Sequence, residues 1–461
     1  MTARFLMLAA LLGATPALAQ QPSVRVATNA KSDTSAVADS SAAKPAKKKE
    51  VRYIVPAIEI AHMRAMDQRG LNVYESPKGE DVPFDGYKLS WGGAFTQQYQ
   101  NLTHENTATA KVVSGVNANQ LIAIGQGFNN AVANLYLNVQ LAKGIRVAVE
   151  SYASARHHQE TWIKDGYFLI DASPIENPVL DNIMKYATLK VGHFEVNYGD
   201  AHFRRSDNGQ TMYNPFVGNY IIDAFTTEIG AEAYLRSNGY MAMVGLTGGE
   251  VHGQVTAPGQ RGPTYLLKLG MDKEPLEGVR FRLTGSMYKT DRSASNTLTS
   301  GDRGGSRYYD VLENSASTET ANAWSGAVQS GMRNMVTAFA VNPFLKVGGA
   351  EFFGNFETFT GAGATELYRR TLRQNVGEAL YRFADNKLYV GGRYNVVNGE
   401  LAGFTNDINV TRSQFGGGWF VTPNVLAKLE YVNQAYNNFP TTDIRSGGKF
   451  KGMMIEGAVA F

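Results

Sequence analysis

One stretch concentrates side chains that could do chemistry. From Asn197 it reads N-Y-G-D-A-H-F-R-R-S-D, so His202, Arg204 and Arg205 stand beside Asp200 and Asp207, with Glu195 just before them. Guanidinium forks hold carboxylate and phosphate bidentately, which makes Arg204 and Arg205, with His202, candidates for holding anions at a narrowing. The acids offset them, and opposed clusters of this kind set up a transverse field that favours polar, hydrated solutes. The competing expectation is that Arg204 pairs with Asp200 or Asp207 and only fixes the segment. A second set is spread along later segments: Arg280, Arg282, Glu378, Arg382, Arg393, Arg412, Lys428 and Glu430. These are either counter-faces to the first cluster or a ladder in which Glu378 and Glu430 neutralise the arginines. Charges so placed tune selectivity and make no bonds.

Bond-making chemistry finds little support. His157, His158, Glu160 and Asp165 cluster at one strand end, but adjacent histidines on a strand face opposite ways. The sequence holds no H-E-x-x-H, G-x-S-x-G or P-loop. Gly125-Gln126-Gly127 is an isolated glycine pair that reads as a turn. With no cysteine there is no thiolate nucleophile, disulfide or Cys-ligated metal. No enzyme activity, cofactor or metal is therefore expected.

Elements able to position the charges repeat from Tyr87 onward. Segments of about ten residues alternate apolar and polar. Leu135, Leu137, Val139 and Leu141 alternate with Asn134, Tyr136, Asn138 and Gln140, and Ile145, Val147 and Val149 follow after Lys143-Gly144. Strands are expected at 161–170, 184–195, 225–235, 240–249, 264–271, 279–288, 334–341, 344–359, 375–383, 388–397, 408–421 and 425–434. The hairpin turns include Asn238-Gly239, Asn342-Pro343 and Thr422-Pro423-Asn424. Brief turns alternate with long connections at 101–130, 196–224, 291–333 and 435–450. With the first strand and the last, the count is about sixteen. The fold class is all-β, a transmembrane antiparallel barrel; a soluble sandwich would carry Val, Ile and Leu inside and more charge outside. The charged fraction, 18%, is low. A barrel of this width admits water, whereas one of eight strands is filled.

The N-terminal region is of another kind. Arg4, the apolar run from Phe5 to Leu12 and Ala17-Leu18-Ala19 make residues 1–19 a signal peptide. Residues 20–50 are Ser-, Ala- and Lys-rich and read as a disordered linker, ending in Lys44-Pro45-Ala46-Lys47-Lys48-Lys49. The first fifty residues hold seven Lys and Arg against three Asp and Glu; the other 37 basic and 38 acidic residues leave the body about neutral, with no nucleic-acid footprint. Residues 51–86 are expected at the mouth of the barrel or in its lumen. A short helix over Ile58–Met66 would end near Arg69-Gly70, with Leu71–Tyr74 extended. Residues 87–461 form the barrel.

The last segment reads K-G-M-M-I-E-G-A-V-A-F from Lys451. Met453, Ile455, Gly457, Val459 and Phe461 share one face at period two, against Glu456, Ala458 and Ala460 on the other. This segment resembles the closing strand of bacterial outer-membrane barrels, whose terminal Phe is the mark read by the insertion machinery. The layout as a whole resembles the sixteen-stranded porins. Leu189–Glu195, L-K-V-G-H-F-E, is similar to the V-G-Q-F strand of the phosphate-selective O and P type, although no dense lysine ladder accompanies it. The resemblance implies short turns on the periplasmic side. It also implies a third long loop, here 196–224, folded into the lumen as the constriction of a diffusion channel for small hydrophilic solutes or ions. The partners it implies are outer-membrane lipid and lipopolysaccharide, the insertion machinery and two further copies in a homotrimer. The alternative is a structural or surface-binding barrel whose lumen is plugged, with residues 58–66 as the plug.

Overall fold

Residues 60, 63–76, 78, 84–129, 131–154, 161–251, 257–299, 307–316 and 325–461 are described in a computed structural model, and all fall in one unit, 57–461. The expected signal peptide, the linker and the His157, His158 and Glu160 cluster lie outside the described residues.

Sixteen strands form one sheet: β1 Lys88–Glu105, β2 Val132–Ala142, β3 Ile145–Ser154, β4 Thr161–Ile170, β5 Ala187–Glu195, β6 Thr227–Ser237, β7 Tyr240–Thr247, β8 Thr264–Leu276, β9 Val279–Thr290, β10 Met335–Val347, β11 Ala350–Ala362, β12 Arg370–Phe383, β13 Leu388–Gly399, β14 Ile408–Thr422, β15 Val425–Asn437 and β16 Lys449–Ala460. A two-residue strip, Gly127–Phe128, joins the same sheet. Every strand pairs antiparallel with its neighbours in sequence, and β1 closes the circle. Its first half pairs with β2, from Lys88 opposite Gln140 to Thr96 opposite Val132. Its second half pairs with β16, from Ala94 opposite Ala460 to Glu105 opposite Lys449. Gly93 and Phe461 exchange both backbone hydrogen bonds at 3.0 Å. Among the described residues the sheet closes on itself, which is the condition for crossing a bilayer with strands.

Period two sorts the side chains. On β16, Ile455 is 50% exposed while Glu456 is fully buried. Outward rows carry Leu89, Phe95, Leu137, Leu267, Phe339, Phe356, Phe415 and Leu429. Tyr87, Trp91, Tyr186, Tyr240, Tyr381, Trp419 and Phe461 ring the end where the short turns lie. An apolar outer belt with an aromatic girdle over a closed sheet defines a transmembrane β-barrel. No helix among the described residues is long and apolar enough to cross a membrane.

The strand count and the alternation match the expectation; several boundaries differ. Asn342-Pro343 is not a turn. Both residues lie inside β10, and the hairpin falls at Gly348-Gly349. Pro343 lacks the N–H of one rung, and the Asn342 Nδ2 donates to the Gly354 carbonyl and to Asn355 Oδ1 across that gap. Met184 ends a short helix, α1 Pro178–Met184, so β5 begins only at Ala187. Asn177 caps α1 and Pro178 opens it, a start signal that outweighs strand alternation. Asn238 and Gly239 both have positive φ, 49° and 76°, as the expected tight hairpin requires.

Candidate functional site

The connection 196–226 is the third at the long-loop end, and it folds inward. Three ion-pair clusters tie it to the wall. In the first, Asp200, on the loop, accepts from Arg282 of β9 at 2.8 Å and faces Lys268 of β8 at 2.8 Å. Glu75 reaches the same two cations, at 2.9 Å and 3.1 Å. In the second, Arg204 meets Glu378 of β12 at 3.3 Å and also donates to Asn72; Glu378 in turn takes Arg393 at 3.1 Å and the Tyr220 hydroxyl at 2.6 Å. In the third, Arg205 bridges Asp207 at 2.8 Å and Asp223 at 2.5 Å, and Lys164 of β4 meets Asp207 at 2.7 Å and Glu195 at 2.9 Å. Tyr152 donates to Asp207 as well. His202 sits between Glu195 and Asn197, 3.1 Å from each. Burial lowers its affinity for a proton more than Glu195 raises it.

Arg204 and Arg205 are thus buried and ion-paired. Arg204 pairs with neither Asp200 nor Asp207, as was expected if it only fixed the segment. Its partner is Glu378 on the wall, because the loop lies across the lumen and not along its own strand. The wall residues all face inward, but the ladder differs from the expected one. Arg382 takes Glu351 at 2.9 Å, and Lys428 pairs with Glu456. Arg280 takes Asp272 at 2.6 Å. Glu430 accepts from the Tyr308 hydroxyl at 2.6 Å and the Val217 N–H at 2.7 Å. Arg412 is held by Gln434 and the carbonyls of Asn219 and Gly326. The last two are fed by loops that sequence periodicity does not see.

Two other segments enter the lumen. From 291–334, Tyr308, Leu298, Val311, Val328 and Met332 pack with Val217, Ile221 and Ile222 against Val336, Phe359, Val397, Val410, Val432 and Met454. Gly218 lies so close under the Tyr308 ring that a Cβ would collide with it. An apolar core therefore fills part of the long-loop half of the lumen, where a water-filled interior was expected. Residues 63–76 form a strap at the other end. The Gln68 N–H reaches the Pro423 carbonyl in a short turn at 2.9 Å, Asn72 donates to Glu351 at 2.8 Å, and Tyr74 packs among Phe203, Phe344 and Phe353. Of the helix expected over Ile58–Met66, residues 58, 59, 61 and 62 lie outside the described set and 63–66 are not helical; a 3-10 turn, Gln68–Gly70, follows, capped by Asp67, whose side chain accepts from the Arg69 N–H.

Open space remains on both sides of the strap, and about 860 Å³ of it lies at the short-turn end beside Asp67, Arg69, Lys346, Glu351, Arg382 and Pro423. A chamber of about 230 Å³ is lined by Glu150, Lys164, Asp165, Lys190, Glu195, Asp207, Arg205, Arg64 and Arg236. A second cavity of about 490 Å³, reaching the Asn238-Gly239 turn, shares Tyr74, Glu75, Ser76 and Arg236 with it. The Lys164 cluster was not foreseen. A register shift between Glu150 and Ser151 turns both Lys164 and Asp165 inward, so period two could not find the cluster.

Glu75 ties the strap into this region. Burial alone would raise its pKa, but Lys268 and then Arg282 outweigh it and hold the carboxyl at about 2. A carboxylate so depressed stabilises docking fully above its unpaired range and loses that contribution as pH falls through its bound value. The strap is expected to stay docked at pH 5 and to release toward pH 2, read as protease access to residues 63–76. Release already complete at pH 4 would contradict the pairing.

The fold defines the class: a sixteen-stranded transmembrane β-barrel. Among solved structures, the anion-selective porin from Comamonas acidovorans aligns over 81% of this chain and 100% of its own, with 8% identity and a TM-score of 0.52. OprB of Pseudomonas putida aligns over 82% and 94%, with 9% identity and a TM-score of 0.48. OmpF of Salmonella typhi aligns over 82% and 99%, with 12% identity and a TM-score of 0.49. At these identities the likeness is one of fold alone, and the latter two scores are too low to carry an argument. No protein-family model matches the chain, and no curated protein sequence matches it.

Proposed function

We propose that the chain is an outer-membrane channel of the porin type, exported and inserted as a homotrimer, through which small hydrophilic solutes or ions diffuse. The observation that carries this reading is the pair of adjoining polar cavities inside a closed barrel, one of them reaching the short-turn end. The path runs beside β2–β9, off the barrel axis, along the side of the lumen that these two cavities line. In this reading the short turns are periplasmic, and the outer belt meets lipid and lipopolysaccharide. Single-channel recording of the refolded protein in a planar bilayer, with the reversal potential under a salt gradient, tests it. Steady openings support a channel.

The second reading is a plugged structural or surface-binding barrel. It is favoured by the strap and the two inserted loops. Silence from a correctly folded barrel would establish it. The finer resemblance to the phosphate-selective type rests on Leu189–Glu195; luminal arginines committed to carboxylates leave few free forks for phosphate.

The constriction is assigned to Asp200, His202, Arg204, Arg205 and Asp207. Replacing Arg204 and Arg205 together with Ala removes two cations and leaves Asp223 without its cationic partner, while Glu378 keeps Arg393 and Asp207 keeps Lys164; it is expected to raise cation preference, read as a shift in reversal potential. Unchanged selectivity would remove these residues from the path.

A further inference from the structure

At the long-loop end of β1, one side chain joins three segments. Gln100, Leu102 and half-buried His104 share the inward row of the strand. The Leu312 N–H donates to His104 Nδ1 at 2.9 Å, and His104 Nε2 lies 2.7 Å from the Ile122 carbonyl. A ring nitrogen that accepts from an N–H carries no proton, and one that faces a carbonyl carries it. The two bonds therefore assign the neutral tautomer protonated on Nε2. Through this ring β1 holds both the first long connection, at Ile122, and the inserted segment 307–316, at Leu312. Those two are also joined to each other, the Ile122 N–H donating to the Glu313 carbonyl at 2.9 Å.

The held segment is not relaxed. Asp310 and Leu312 have φ of 59° and 56°, in the left-handed region that side chains other than glycine rarely adopt. A second hold on β1 is Gln100, whose amide exchanges two bonds with the Tyr309 backbone, both at 3.0 Å. Of the groups packed around the ring, Asp310 carries the charge that reaches it. Glu313 accepts from Ser325 Oγ, Glu105 is exposed on the outward row, the first connection presents the Ile122 carbonyl, and β16 places Phe450 opposite.

We propose that His104 is an acid-released latch for the inserted segment 307–316. A second proton can enter the ring only at Nδ1. There it meets the Leu312 N–H, donor against donor, and the bond that holds Leu312 is lost. The ring thus takes that proton more readily once Leu312 has moved off, so falling pH weakens the held state. Asp310 attracts the charged ring from the same segment, which makes the release a loosening at Leu312 and not a departure of the whole loop. Tyr308 of this segment covers Gly218 of loop 196–226 and donates to Glu430, so the latch secures one inserted loop over the other. It works whether or not the lumen conducts.

The test is hydrogen exchange of the full folded chain in detergent micelles, read on peptides covering 307–316. It is run at pH 7.5 and pH 5, which span the range in which an imidazole titrates, with rates corrected for the intrinsic effect of pH. Wild type is expected to lose about tenfold in protection at pH 5, the worth of roughly one hydrogen bond. His104→Gln, whose amide accepts and donates as the neutral ring does and takes no proton, is expected to be equally protected at both pH values. Should that variant fail to fold, His104→Ala, which has nothing to titrate, is expected to show the same low protection at both. Wild-type protection unchanged between the two pH values, or a loss at pH 5 that persists in either variant, overturns the latch.

Discussion

Removing residues 63–76 is expected to raise single-channel conductance about threefold while leaving the barrel folded. The strap lies between the two cavities, which share Tyr74, Glu75 and Ser76 as lining. Its attachments are numerous but replaceable. Without it, Lys268 and Arg282 keep Asp200, and Glu351 keeps Arg382. No strand depends on it for a backbone partner; its Gln68 N–H bonds to Pro423 in a turn. The variant should therefore refold, give the same antiparallel-sheet spectrum and differ in current. Unchanged conductance would mean that the strap stands outside the path.

The opposite result is expected at Asp200. This carboxylate is fully buried, accepts from Arg282 through both oxygens, at 2.8 and 2.9 Å, and faces Lys268, itself fully buried. Asp200→Ala leaves two cations sharing Glu75. Breaking one member out of a buried ion cluster costs about 3–5 kcal/mol, because the remaining cations are left short of negative charge and without water to replace it. Since Asp200 N–H also donates to Asn342 Oδ1, the loss falls on the anchor between the loop and β8–β10. The loop should become cleavable by protease within 196–226, and the folded barrel should lose its heat resistance on a gel. Asp200→Asn, which keeps the shape and one acceptor, should cost less. An Ala variant as stable as wild type would show that the loop is held by its apolar contacts alone.

Much of the wall was legible in the sequence because it obeys a local rule. Period-two alternation gave the starts of β13, β14 and β15, since lipid on one side and packed interior on the other impose opposite polarity on neighbours. Where another local force acts, the rule fails: the Asn177 cap claims Met184 for α1, and a bridging Asn342 lets β10 run through Pro343. The site was less legible. Loop 196–226 was readable as an inserted segment from its place and charge, but its partners are set by register across the barrel. Arg204 finds Glu378, 174 residues away. The loop 291–334, rich in Ser, Thr and Gly, reads as solvated, and its Leu298, Tyr308, Val311, Val328 and Met332 have no period that would betray an inward face. The Lys164 cluster needs three strands and a loop at once, and no single segment announces it.

The closing seam has a consequence for the order of events in folding. Gly93 and Phe461 form adjoining rungs although almost the whole barrel sequence separates them. Loop closure over such a span is slow, so β1 and β16 are expected to meet last. The strap precedes β1 in sequence yet lies inside the ring that β1 completes. It and the two inserted loops must already be gathered over the growing sheet when the seam zips. Otherwise they must thread afterwards through an opening that the aromatic packing around Tyr74 makes narrow. The ion pairs at Glu75 and Asp200 thus act during assembly as well as after it, as temporary stitches that keep the contents in place until the wall is shut.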